Sequence, residues 1–139
     1  MSVNIAQNGD GGAGLQGKDG GTGPFIHAVQ NYNVPVAATA VCLVNAGRAL
    51  VIDSIIVRPF VAGTGGAATI ALWKAPSGTA PTSGTALHSG TGNMVGTINT
   101  DQILTLTVPT VAAGESIWAV FTGTATSAIG AIAVNARPA

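Results

Sequence analysis

From Phe25 onward the chain is written in short apolar runs with a period of two, each closed by glycine, proline or asparagine. Successive side chains of a strand point to opposite faces, so such alternation marks strands with one buried side. It is clearest in QILTLTV (102 to 108), where Leu104, Leu106 and Val108 oppose Ile103, Thr105 and Thr107. No window carries a sustained helical stripe of apolar residues, and Thr, Val and Ile suit a pleated surface. Candidate strands cover 25–33, 35–45, 49–60, 68–75, 93–99, 102–108, 115–123 and 128–136. Eight short strands in one domain predict an all-β, antiparallel β-sandwich, and the absence of a Cys…Trp…Cys arrangement points to a jelly roll rather than an immunoglobulin-like fold.

Several local expectations follow. IDSIIVRP (52 to 59) has apolar residues on both faces, as a strand covered on both sides would. AAGE (112 to 115) is a tight reversal in which Gly114 takes a positive φ. APSGTAPTSGTALHSGTGN (75 to 93) is the longest break and reads as a functional or mobile loop in which His88 is exposed. Cys42, the single cysteine, reads as a small buried hydrophobe.

Residues 1 to 24 have a different texture, with eight glycines and no aromatic residue. Gly11, Gly14, Gly17, Gly20 and Gly23 recur every third position, which a collagen triple helix requires at its axis. Pro24 is the only proline of the five triplets, so a triple helix this short lacks the residue that pre-sets its conformation. A phosphate-cradling loop fails too, since no helix start follows Pro24 and Lys18 lies in no GKS or GKT arrangement. The segment reads as an extended Gly-rich arm (1–24) ahead of a sandwich domain (25–139). It is either a tail without a partner or a tether that reaches across one. The candidate partner-binding residues are Ile5, Asp10, Leu15, Lys18, Asp19 and Phe25.

Charge excludes whole classes of function. Only 7% of residues are charged and the five basic residues balance the five acidic ones. Lys18, Arg48, Arg58, Lys74 and Arg137 are scattered, whereas nucleic-acid binders cluster such residues, so no nucleic acid is expected. The apolar run VAATAVCLV, 36 to 44, is half the length that a spanning helix needs, and the N-terminus lacks the basic start and apolar core of a secretory signal. Ala, Gly and Thr supply 24, 20 and 16 of the 139 residues. An exterior built from small neutral residues protects poorly against association, which points to a surface covered by other protein.

Catalytic chemistry finds no support. GTGGAA (63 to 68) matches a glycine-rich dinucleotide pattern, but a strand follows it where a helix is needed, and it reads as a hairpin loop. His27 and His88 are the only histidines, and no serine sits in a GxSxG elbow. Two isolated histidines and a distant cysteine lack zinc spacing, and the acids are never closer than nine residues, so no metal site, cofactor or carboxylate pair is indicated. Trp118, in the alternating run SIWAVF, reads as core rather than as a sugar-stacking platform.

The Gly-rich arm, the stretch TIALWKAPSGTAPTSGTAL and the unit VPTVAAGESIWAVF together resemble the small jelly-roll proteins that cement or decorate the heads of tailed bacteriophages. The resemblance implies a non-enzymatic protein on the outer surface of the virion head. It would act as a homodimer or homotrimer bound to the major capsid protein, over junctions between its subunits, and stabilise the shell. An alternative is a tail-fibre or receptor-binding module that recognises glycans through residues 75–93; a trimeric module of the tumour-necrosis-factor-like class is a third.

Overall fold

The computed structural model describes residues 25–33 and 40–139. The 1–24 arm and its boundary with the domain therefore lie outside the described residues, except for Phe25. The described residues form ten strands: β1 (Ile26–Asn33), β2 (Ala40–Asn45), β3 (Leu50–Val61), β4 (Ala68–Pro76), β5 (Thr85–Ala86), β6 (Gly92–Asn93), β7 (Gln102–Ile103), β8 (Thr110–Val111), β9 (Glu115–Gly123) and β10 (Ile129–Pro138). A single 3₁₀ turn, Pro81–Ser83, is the only helical element among the described residues.

The strands form two antiparallel sheets. One runs β2-β9-β4, with β5 and β6 on the far edge of β4; the other runs β1-β10-β3, with β7 and β8 on the far edge of β3. Counting β5/β6 as one broken strand and β7/β8 as another gives eight strands that cross from sheet to sheet at every step but one. That is a jelly-roll sandwich, as the sequence indicates.

The alternation decides what fills it. Ile70 and Leu72 of β4 and Ile117, Ala119 and Phe121 of β9 meet Leu50, Ile52, Ile55, Val57, Ile132 and Val134 of the opposite sheet, all essentially inaccessible to solvent. Fully burying one such aliphatic or aromatic side chain stabilises by about 1.5–3 kcal/mol. Phe121 is also 6.0 Å, ring to ring, from Tyr32 of β1.

Strand β3 corrects the reading of a strand covered on both sides. Asn135 pairs with Ser54 and Ala136 with Ile52, leaving Asp53 as an extra residue; Phe60 is skipped in the same way between Pro59 and Val61. A bulge shifts the phase of alternation by one residue. Leu50 and Ile52 therefore point inward before Asp53, and Ile55, Val57 and Pro59 after it. The apolar residues on both sequence phases are one inner face read across a bulge, plus Ile56 facing outward.

The segment 75–93 is likewise no mobile loop. Leu87 is fully buried and His88 is 5% exposed. Leu87 N–H donates to Leu72 O, and Thr107 N–H donates to Leu87 O, stitching the segment to both neighbours. Its glycines and prolines disguise a broken edge strand. The candidate strand 93–99 shares only Asn93 with β6, because turns follow at Met94–Val95 and Ile98–Asn99. GTGGAA is a crossover between the sheets rather than a hairpin, since β3 and β4 belong to different sheets. Gly65 and Gly66 take φ of 82° and 151° there, and Gly114 takes 89° in its reversal, as expected.

Candidate interaction surface

The outer face of the β1-β10-β3-β7 sheet carries one apolar row across all four strands. Val29 pairs with Ala133, Ala133 with Ile56, and Ile56 with Ile103. Alternation sends all four side chains away from the core, because their neighbours Tyr32, Ile132, Val134, Ile55 and Val57 fill it. Val29 is 54% and Ile103 71% exposed. A contiguous exposed apolar patch is informative in a way that scattered apolar residues are not.

Polar rows flank it on both sides. In one, His27 Nδ1–H donates to Asn135 Oδ1 at 2.5 Å and Asn135 Nδ2 donates to Ser54 Oγ at 2.9 Å. In the other, Asn31, Ala131 and Arg58 are aligned, and Arg58 Nε donates to Asp101 Oδ1 at 2.6 Å. That bond holds the Asp101 carboxyl below its ordinary range and raises the guanidinium. Beyond the first row, Arg137 Nε meets Asp53 Oδ1 at 3.0 Å. The charges on this face are neutralised within the chain, so a partner needs no compensating charge.

Here β10 contributes only the methyl groups of Ala131 and Ala133, which leaves a hollow. Ala131 and Ala133 floor a cavity of about 200 Å³ walled by Ile56, Arg58, Phe60 and Asp101. It is open, largely apolar, and on the scale of one aromatic or branched side chain. Arg58 and Asp101 close one end, so what enters must be apolar at its tip and tolerate polar groups at the rim.

Of the partner-binding residues expected from sequence, only Phe25 falls in the described region. It precedes β1 and is 65% exposed. Ile5, Asp10, Leu15, Lys18 and Asp19 lie outside the described residues. Val29, Ile56, Ile103 and Ala133 were not singled out by sequence reasoning. The available signal was the outward phase of QILTLTV, where Ile103 breaks a run of threonines.

The opposite outer face yields two corrections. Trp118 pairs with Trp73 on β4 and Cys42 on β2, and all three are half-buried and point outward, away from the sandwich interior. The neighbours Ile117 and Ala119 take the inward positions, so Trp118 is not core and Cys42 is not fully buried. Among the described residues no group of three or more His, Cys, Asp or Glu side chains is placed to hold a metal ion.

No protein-family model and no curated protein matches this chain. Among solved structures the chain is similar to two of infectious bursal disease virus. For the Gx strain the identity is 13% over 82% of this chain and 29% of that one, with a TM-score of 0.35. For the Gt strain the identity is 12% over 83% of this chain and 33% of that one, with a TM-score of 0.32. This chain thus spans about a third of the length of those viral chains.

Proposed function

We infer that the protein is a non-enzymatic structural component of a virion, cementing or decorating a phage head by binding over junctions between major capsid protein subunits. The observation that carries this reading is the row Val29–Ala133–Ile56–Ile103 on a face whose charges are already paired. Such a face favours contact with protein over a nucleic acid or a charged small molecule. A four-strand face is roughly 15–20 Å wide and about 25 Å long, on the order of 400–500 Å². A stable interface takes about 800 Å² from each partner. The sheet face therefore supplies the centre of a contact, and the Gly-rich arm supplies reach across a neighbouring subunit. Homodimeric or homotrimeric assembly would multiply these modest contacts.

The test is cosedimentation with heads that lack the protein, using the full chain, a chain without residues 1–24, and the full-length Ala133→Glu variant. The expected order is full chain strongest, the truncated chain weaker, and Ala133→Glu weakened about tenfold or more, since a carboxylate would be desolvated at the centre of the contact. Equal binding by all three overturns the reading.

A further inference from the structure

Trp118 lies outside the core yet is not simply spread on the surface. It forms a wall of an open cleft of about 410 Å³ at one end of the sandwich, between the β2–β3 and β8–β9 turns and the Pro76–Thr79 turn. That volume falls in the range of small-molecule sites. The cleft is separate from the apolar row, which belongs to the other sheet.

The lining is rich in hydrogen-bonding groups and carries one charged side chain, Glu115. Ser116 Oγ donates to Asn45 Oδ1 at 2.5 Å, which fixes the amide and leaves Asn45 Nδ2 to donate. Glu115 Oε2 is occupied by Ala112 N–H at 2.7 Å and by Lys74 Nζ at 3.3 Å, so its charge is matched and its second oxygen remains an acceptor. Ser77 and Thr79 add hydroxyl groups on the opposite wall. The frame is pinned by main-chain bonds: Ala46 N–H to Glu115 O at 2.9 Å, Gly114 N–H to Ala46 O at 2.7 Å and Thr79 N–H to Pro76 O at 3.1 Å. A rigid, preformed site loses little entropy on binding.

These features select a ligand class. A phosphate or other anion would meet Glu115 and find no unpaired cation in the lining. A wholly apolar ligand would strip water from Asn45 Nδ2 and from the second Glu115 oxygen and replace it with nothing, at a cost. A ring with one apolar face and many hydroxyl groups satisfies both the indole and the polar walls. We propose that the cleft bordered by Trp118, Asn45 and Glu115 binds an uncharged saccharide unit, with the indole as the apolar platform and Asn45 and Glu115 as donor and acceptor. This site goes beyond the structural role above and stands independently of it.

The experiment uses the isolated full-length protein and no virion, so its outcome is separable from that of head binding. Maltose, cellobiose, lactose and N,N′-diacetylchitobiose are titrated by calorimetry and by tryptophan fluorescence, with 3′-sialyllactose as the charged comparison. At least one neutral disaccharide is expected to bind saturably with a Kd of about 1 mM or tighter. Trp73→Phe, which leaves Trp118 as the sole indole, keeps the fluorescence response. Trp118→Ala and Asn45→Ala each weaken binding about tenfold or more, Asn45→Ala being a surface change that preserves the fold. The proposal is overturned if none of the neutral sugars binds, if sialyllactose binds as tightly as the best of them, or if Asn45→Ala binds as wild type does.

Discussion

His88 Nε2 accepts a hydrogen bond from the backbone N–H of Leu72 at 2.8 Å, inside the sandwich. An acceptor carries no proton, so the ring is neutral with its proton on Nδ1, which lies 3.3 Å from Ser89 O. Burial lowers the pKa from the ordinary 6.5, outweighing the backbone contacts with Ser89 and Gly90 that would raise it. Between the folded pKa and 6.5 the unfolded chain therefore binds more protons than the native one, and stability rises with pH. The stabilisation is complete above about pH 6.5 and is lost as the pH falls through the lower folded value. Melting temperatures measured from pH 7.5 down to 5 are expected to fall in the wild type. In His88→Gln the component due to this group is absent, so the slope flattens. His88→Ala strands the Leu72 N–H and is expected to cost about 2–4 kcal/mol in urea unfolding.

The same residue shows what the sequence conceals. Strands whose alternation is unbroken, such as β4, β9 and β10, are legible to within a residue or two because one face of each is continuously apolar. The segment around His88 is not, because two-residue strands leave no period to detect, and the glycines beside them look like loop. A buried imidazole paired with a main-chain amide has no local signature. The Asp53 bulge hides for a related reason: it converts one face into two apparent ones, and only the partner strand's register reveals it. The apolar row is a cross-strand relationship among residues from 29 to 133, so it exists only once pairing is known. Trp118 reads as core from the sequence because alternation puts its side chain opposite Ile117 and Ala119 without saying which set is inside.

Gly130 is held by close approach rather than by a positive φ. A Cβ there would collide with the hydroxyl end of Tyr32 and with the carbonyl oxygen of Arg58, and the backbone atom cannot step aside. Gly130→Ala is expected to destabilise by about 2–3 kcal/mol. Gly47→Ala, where nothing lies within 4 Å, should stay within about 0.5 kcal/mol of wild type. Urea midpoints for the two variants make the comparison, and similar values for both would contradict the packing.

Tyr32 is 4% exposed, and its hydroxyl is buried with no hydrogen-bond partner among the described residues. Desolvation pushes its pKa up to about 12. A buried hydroxyl without a partner costs about 1–3 kcal/mol, whereas the ring packs against Phe121. Tyr32→Phe is therefore expected to be neutral or to stabilise by about 1 kcal/mol, and Tyr32→Ala to destabilise by about 3–5 kcal/mol. Thermal unfolding of both variants distinguishes the hydroxyl from the ring; a marked loss in Tyr32→Phe would mean that the hydroxyl is bonded.

The paired charges beside the apolar row set how the purified protein should associate. Arg58–Asp101 and Arg137–Asp53 are half-exposed pairs, and such pairs contribute about 0–1 kcal/mol each. Burying Val29, Ile56 and Ile103 together contributes several times more, at about 1.5–3 kcal/mol for a large side chain fully removed from water. Apolar contact therefore outweighs ion pairing, and self-association through this face should change little with added sodium chloride, because screening acts only on the smaller term. It should weaken on cooling, as hydrophobic association does. Ile103→Lys and Val29→Lys place like charges on the row of every copy and are expected to shift sedimentation velocity profiles towards monomer. Neither touches the core, so both should melt close to wild type. Association that dissolves in salt and survives both lysine substitutions would place the contact elsewhere on the molecule.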